Sequence, residues 1–171
     1  MNIPIVKLPA ASLRQPSLPI DRREIKSKKI QELVVALIPT MYAADGIGIA
    51  APQVGKNIRL CVIGKMAFKK HKRVNGANES TDTDMALINP SWVKLSKKTA
   101  VDVEGCLSVP GKQGKVRRYR DILVSAMNAS GENVEFEAHG YLARVVQHEV
   151  DHLDGILFVD RAIEIYDTAK V

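Results

Sequence analysis

No run of eighteen apolar residues occurs in the 171-residue sequence, so nothing in it reads as a membrane-spanning helix. The opening MNIPIVKLPAASLRQP lacks a basic segment followed by an apolar stretch of signal-peptide length, and the chain is expected to stay in the cytoplasm, where it is made. There are only two cysteines, Cys61 and Cys106, in a chain long enough to need no staples. A disulfide framework is therefore not expected, a reducing compartment fits, and a thiol is left free to act as a ligand. No internal repeat is present, and no aromatic series accompanies the basic stretches, which argues against base stacking and specific DNA binding.

What is present is an ordinary globular composition, 46% hydrophobic and 26% charged, with a formal charge of +6. The excess is concentrated at KMAFKKHKR, Lys65 to Arg73, and KVRRYR, Lys115 to Arg120. Such clusters act non-specifically; they read as solvated loop and strand faces, with a transient contact to a ribosome as the alternative.

After an extended, proline-marked start, Asp21 can cap a helix whose apolar positions Ile30, Leu33, Val34, Leu37, Ile38 and Met41 recur at helical spacing. Pro39 is expected to kink or end it. IRLCVI, Ile58 to Ile63, predicts a buried strand, and the polar stretch from Lys65 to Asp84 a long exposed loop. MALINP, SWVKL, AVDVE, DILVSAMN and ENVEFEA predict further strands, the last two joined through ASG as a hairpin. From Gly140 the pattern turns helical, with Leu142, Val145, Val146, Val150 and Leu153 near one face and Gly155 suited to the stop. Together these predict one α+β domain over residues 1–171: antiparallel or mixed β-sheets packed around the second helix, plus the N-terminal amphipathic helix.

That second helix carries QHEVDHLDG, in which His148 and His152 stand one turn apart and Glu149 lies beside them. Burying two imidazoles and a carboxylate on one face is costly unless something satisfies them, and a metal does so. A catalytic metal needs three protein ligands and one open position. The continuation to Phe158 follows the metzincin pattern until the position of its last histidine, which Phe158 occupies, so that reading fails. Glu164 is a possible downstream carboxylate, although it lies in a short polar tail. Cys106, in EGCLSVP, is the other candidate, as a thiolate ligand or as a small buried apolar residue. His71 and His139 read as ordinary histidines. Glu104 reads as a buried acid that demands a cation, with Arg118 the candidate partner. GIGIAAPQVG, Gly46 to Gly55, matches Gly-x-Gly-x-x-Ala, but it follows a helix and meets Pro52, the wrong context for a dinucleotide site. Its small residues instead suit close approach of a substrate backbone, with Gln53 offering an amide donor.

Taken together, GIGIAAPQ, EGCLS and QHEVDH in this order resemble the bacterial peptide deformylases, and the likeness extends through MYAADG and GILFVDR over nearly all of the chain. The resemblance implies a metallohydrolase that removes the formyl group from the N-terminal formylmethionine of nascent polypeptides, releasing formate, by attack of a metal-bound hydroxide. It implies Fe2+, with Zn2+, Ni2+ or Co2+ as substitutes. It implies Cys106, His148 and His152 as metal ligands, Glu149 as general acid and base, and Gln53 with the Leu107 backbone N–H as oxyanion hole. Ile47, Gly48 and Gly105 are implied to line the peptide path, and Tyr141 to stand near the methionine pocket.

The sequence also departs from the family. Many relatives carry an arginine where this chain has Gln113, and Tyr141 and Arg144 stand where the best-known enterobacterial members are aliphatic. Two other readings remain: a His-Glu-x-x-His endopeptidase, and a non-enzymatic module that binds the ribosome or RNA around a structural metal. The second is opposed by Glu149 and Gln53 and by a count of three ligands where a closed site uses four.

Overall fold

The computed structural model of the protein describes residues 2–69 and 83–168. Its helices are α1 (Lys28–Ala43), α2 (Lys65–Lys69), α3 (Gly140–Leu153) and α4 (Phe158–Arg161). Its strands are β1 (Gly48–Ala50), β2 (Leu60–Ile63), β3 (Met85–Lys94), β4 (Thr99–Cys106), β5 (Val109–Tyr119), β6 (Asp121–Met127), β7 (Asn133–His139) and β8 (Ala162–Asp167). These form a five-stranded sheet in the order β1-β2-β3-β6-β7 and a three-stranded sheet in the order β4-β5-β8, every pair antiparallel. No helix among the described residues is long and apolar enough to cross a membrane.

The continuous apolar run of β2 has a simple cause: the strand is buried on both faces. Leu60 and Val62 pack with Leu37 and Met41 of α1, whereas Cys61 and Ile63 pack with Leu142, Val146 and Val150 of α3. The five-stranded sheet is thus covered by α1 on one side and α3 on the other. A smaller cluster, Val109, Val116, Leu157 and Phe158, seats the three-stranded sheet against the segment that follows α3.

Several expectations need correction. Asp21 caps only a single 3-10 turn, Arg22–Glu24, and α1 starts later, with the Ser27 hydroxyl accepting from the Ile30 N–H. Pro39 does not end α1, which continues to Ala43. Proline removes one N–H and frees the carbonyl four residues back; Pro39 and Val35 both face solvent, so water can take that carbonyl's bond. The two strands read from MALINP and SWVKL are one strand with an irregularity between Ile88 and Ser91, where Asn89 adopts φ 49°. The loop read from Lys65 to Asp84 begins as α2; its remainder, residues 70–82 with His71, lies outside the described residues. Nor is Lys115 to Arg120 a uniform basic face, because Arg118 is buried and Lys115 pairs with Glu164 at 2.8 Å.

Gly155 closes α3 at φ 74°, and a Cβ there would lie 2.6 Å from the Arg14 carbonyl oxygen. Gly155→Ala combines left-handed backbone with a clash against main chain, so it should destabilise the protein by about 1–3 kcal/mol. Urea unfolding checks this, and an unchanged midpoint would mean that the two segments do not meet so closely.

Candidate active site

The β4–β5 hairpin and α3 build the site between them. The hairpin register shifts between Gly105 and Cys106, so that Cys106 pairs with Val109 across a tight turn and its thiol is delivered to α3. On α3 the four-residue spacing brings the His148 and His152 rings to 4.9 Å, edge to face. One donor atom from each of Cys106, His148 and His152 falls in a group no wider than 4.8 Å. Cys106 Sγ is 3.3 Å from His152 Nε2 and accepts from the Ser108 N–H at 3.4 Å. Phe158 is buried in the apolar cluster beneath, and Glu164 sits on β8 in its exposed pair with Lys115, which removes the downstream carboxylate as a ligand. His139 bonds Asp121 and Glu137, away from this group.

Glu149 lies against β1. A Cβ on Gly48 would come within 2.3 Å of Glu149 Oε1, so only glycine leaves this carboxylate its place. Its Oε2 is buried with no hydrogen-bond partner among the described residues, and burial pushes the carboxyl up to about 7. Gln53 stands in the 3-10 turn Ala51–Val54 that follows β1. Its Oε1 accepts from the Ala50 N–H at 2.9 Å, which turns Nε2 toward Ser108 Oγ at 3.2 Å and Cys106 Sγ at 3.7 Å. GIGIAAPQVG therefore forms a strand and a turn, without the long helix a dinucleotide site requires.

Behind His148 lies a network of which the sequence showed only one pair. Glu104 accepts Arg118 Nε at 2.9 Å and Arg144 Nη1 at 2.7 Å on Oε1, and Arg118 Nη2 at 3.0 Å and His148 Nδ1 at 2.9 Å on Oε2. Burial alone would raise the Glu104 carboxyl, but its bonds to His148 and Arg118 outweigh burial and hold it well below the usual carboxylate range. Asp151 joins Arg118 at 2.5 Å to Arg161 at 2.6 Å. In the sequence Asp151 is not singled out, and Arg144 only as a departure from aliphatic relatives; a charge on the inner face of a helix is the signal that could have revealed both as partners.

The two histidines are driven apart. Burial works against a charge on both, yet hydrogen bonds to Cys106 and Glu104 hold His148 well above the ordinary imidazole value; burial and then the neighbouring His148 hold His152 well below it. The buried His152, the half-buried His148, a thiol and a carboxylate oxygen with no hydrogen-bond partner among the described residues, crowded together, form a donor set that suits a divalent transition ion. Beside them is a cavity of about 360 Å3, lined by Ile47, Gly48, Gly105, Leu107 and Tyr141 together with Gln53, Cys106, His148 and Glu149. His152 is buried behind this lining and reaches the group through its contact with Cys106.

Removing Arg118 leaves Glu104 and Asp151 short of their shared cation. Arg118→Met should therefore cost about 3–5 kcal/mol of stability, read from urea unfolding of metal-free protein. A loss near zero would show that the remaining arginines suffice.

Comparison with known proteins agrees with this geometry. Residues 3–167 match the family described as polypeptide deformylase. A peptide deformylase of Halothermothrix orenii is 37% identical over 163 residues, covering 92% of this chain and 97% of its own. The crystal structure of the class I type b peptide deformylase from Acinetobacter baumannii with Met-Ala-Ser bound superposes with a TM-score of 0.81 at 35% identity, covering 94% of this chain and 98% of its own. The same enzyme with actinonin bound gives 0.81 at 34% identity, covering 94% and 98%. The chain belongs to the polypeptide deformylase family.

Proposed function

We propose that the chain is a single catalytic domain that hydrolyses the N-terminal formamide of formylmethionyl peptides, taking up one water and releasing formate and a free amino terminus. The observation that carries this reading is the convergence of Cys106, His148 and His152 within 4.8 Å, beside a cavity where the Glu149 carboxylate and the Gln53 amide also meet. The three residues would hold a divalent ion, Fe2+ by family likeness, with Zn2+, Ni2+ or Co2+ as replacements. When bound, such an ion acts as a Lewis acid toward the formyl oxygen and acidifies water.

The protein's own groups supply the rest. Glu149, pushed up to about 7, is matched to taking a proton from water and handing it to the leaving amine near neutral pH. Gln53 Nε2, aimed at Cys106 by its other bonds, and the Leu107 N–H meet the oxygen as negative charge develops on it. Gly48 on β1 and Gly105 on β4 belong to edge strands of the two sheets, and edge strands offer backbone groups to an extended peptide. Ile47 and Tyr141 line the cavity that takes the first side chain. The Met-Ala-Ser bound to the Acinetobacter baumannii enzyme supports a substrate of this shape. Of the two basic stretches, Lys65 to Arg73 lies partly outside the described residues, and the exposed Arg117 and Arg120 of the other support a transient contact with the ribosome, in the cytoplasm, as the place where such chains emerge.

Anaerobically purified, iron-loaded protein should release formate rapidly from a formyl-Met tripeptide and leave an unformylated internal peptide bond intact. Cys106→Ser should abolish the release together with metal binding. Gln53→Ala should lower kcat by roughly 100- to 1,000-fold while metal content stays at the wild-type level. Cleavage within the peptide by protein that yields no formate would instead favour an endopeptidase.

A further inference from the structure

The reaction above gives no task to Arg144, yet Arg144 lines the cavity. It stands one turn before His148 on α3, about 6 Å along the helix axis. Its side chain is 8% exposed. Nη1 donates to Glu104 Oε1 at 2.7 Å and to the Val116 carbonyl at 2.9 Å, and Nη2 donates to the Ala100 carbonyl at 2.8 Å. A guanidinium carries five N–H groups. The Nε–H and one Nη2–H are therefore left without a protein partner among the described residues. Nε is also absent from the side-chain atoms that are both sealed from solvent and unpaired. It remains accessible in a group that is otherwise buried and clamped at three points. The wall combines hydrocarbon from Ile47, Val103, Leu107 and Val145 with the acids Asp45, Glu104 and Glu149, and no other arginine or lysine lines the cavity among the described residues.

A fixed N–H donor in the wall of a cavity treats occupants unequally. A hydrocarbon tip displaces water from the N–H and gives nothing back, whereas an acceptor at the same distance pairs with it. We propose that Arg144 makes this cavity select a first side chain that ends in a hydrogen-bond acceptor, the methionine thioether and more strongly its sulfoxide, over a hydrocarbon of the same length. The inference rests on the deformylase reading, which places the first side chain here. A thioether sulfur is a weak acceptor, so discrimination against norleucine is modest. The sulfoxide oxygen is a full acceptor, and a hydrogen bond to a charged donor offsets the cost of taking that polar group out of water.

The test compares formate release from formyl-Met-Ala-Ser, formyl-norleucine-Ala-Ser and formyl-methionine-sulfoxide-Ala-Ser by wild type, Arg144→Lys and Arg144→Leu, all iron-loaded. Arg144→Lys keeps a cation for Glu104 and removes the Nε–H; Arg144→Leu removes every donor. Ratios of kcat/KM within one preparation cancel any loss of metal. Wild type should prefer methionine over norleucine by about fivefold and accept the sulfoxide within about fivefold of methionine. In both variants the first ratio should fall toward one, and the sulfoxide should lose roughly tenfold or more relative to methionine. If a variant is too slow to assay, calorimetric affinities for the three unformylated tripeptides test the same order of side-chain preference without turnover. Ratios that match wild type in both variants, or a wild type that rejects the sulfoxide, would overturn the inference while leaving the deformylase reading intact. No formate from any peptide with wild type would overturn both.

Discussion

The carboxylate of Glu104 is the joint on which the site depends. It sits on β4 and is 7% exposed, so its charge survives only because four N–H donors converge on two oxygens. Arg118 reaches it along the same sheet from β5, while Arg144 and His148 reach it from α3. One side chain therefore fastens the three-stranded sheet to the helix that bears the histidines. Its effect on His148 follows from the geometry: Nδ1 is committed to the carboxylate, which leaves Nε2 for a metal. A buried ion network is weak grounds for stability in itself, since apolar residues of equal volume often do as well. Fixing the orientation of His148 is something apolar residues could not do.

A second carboxylate on the same face of the molecule shows how much the partners matter. Glu149 is as deeply buried as Glu104, at 3% exposure, but among the described residues no arginine bonds it and one of its oxygens has no hydrogen-bond partner. Burial therefore wins at Glu149 and raises its carboxyl to about 7, whereas pairing wins at Glu104 and lowers it. Their partners thus set the two acids apart: one is held as an anion against His148, and the other is held near its midpoint close to neutral pH, the kind of separation that acid–base chemistry uses.

Legibility in the sequence follows the same division between local pattern and partner. The helix of His148 and His152 is readable because its spacing is set within one turn, and β2 because burial on two faces leaves an unbroken apolar run. The β6–β7 hairpin is readable from alternation around a turn. β5 is not, because Gly114 and Arg118 occupy inward positions where an apolar side chain would be looked for, and their partners come from β8, β4 and α3. β8 alternates over only six residues, and its Ile163 and Ile165 remain largely exposed, so its few residues resemble a tail. Pro39 misleads for the opposite reason: a rule about helix interiors fails where the freed carbonyl faces water.

The glycines of GIGIA become intelligible only when the other two motifs are placed beside them. A Cβ on Gly46 would meet Leu107 Cδ1 at 2.9 Å and the Met41 carbonyl at 3.1 Å, and one on Gly48 would meet the Glu149 carboxylate. The segment is threaded between the end of α1, the tip of the β4–β5 hairpin and the inner face of α3, with room for backbone alone. Gln53 follows five residues after Gly48, and its amide closes the circle by bonding Ser108 beside Cys106. Three stretches separated by some fifty residues each thus carry small residues, polar residues or imidazoles because of one another. Their residue types are dictated by the meeting point, and no single stretch read alone could have disclosed it.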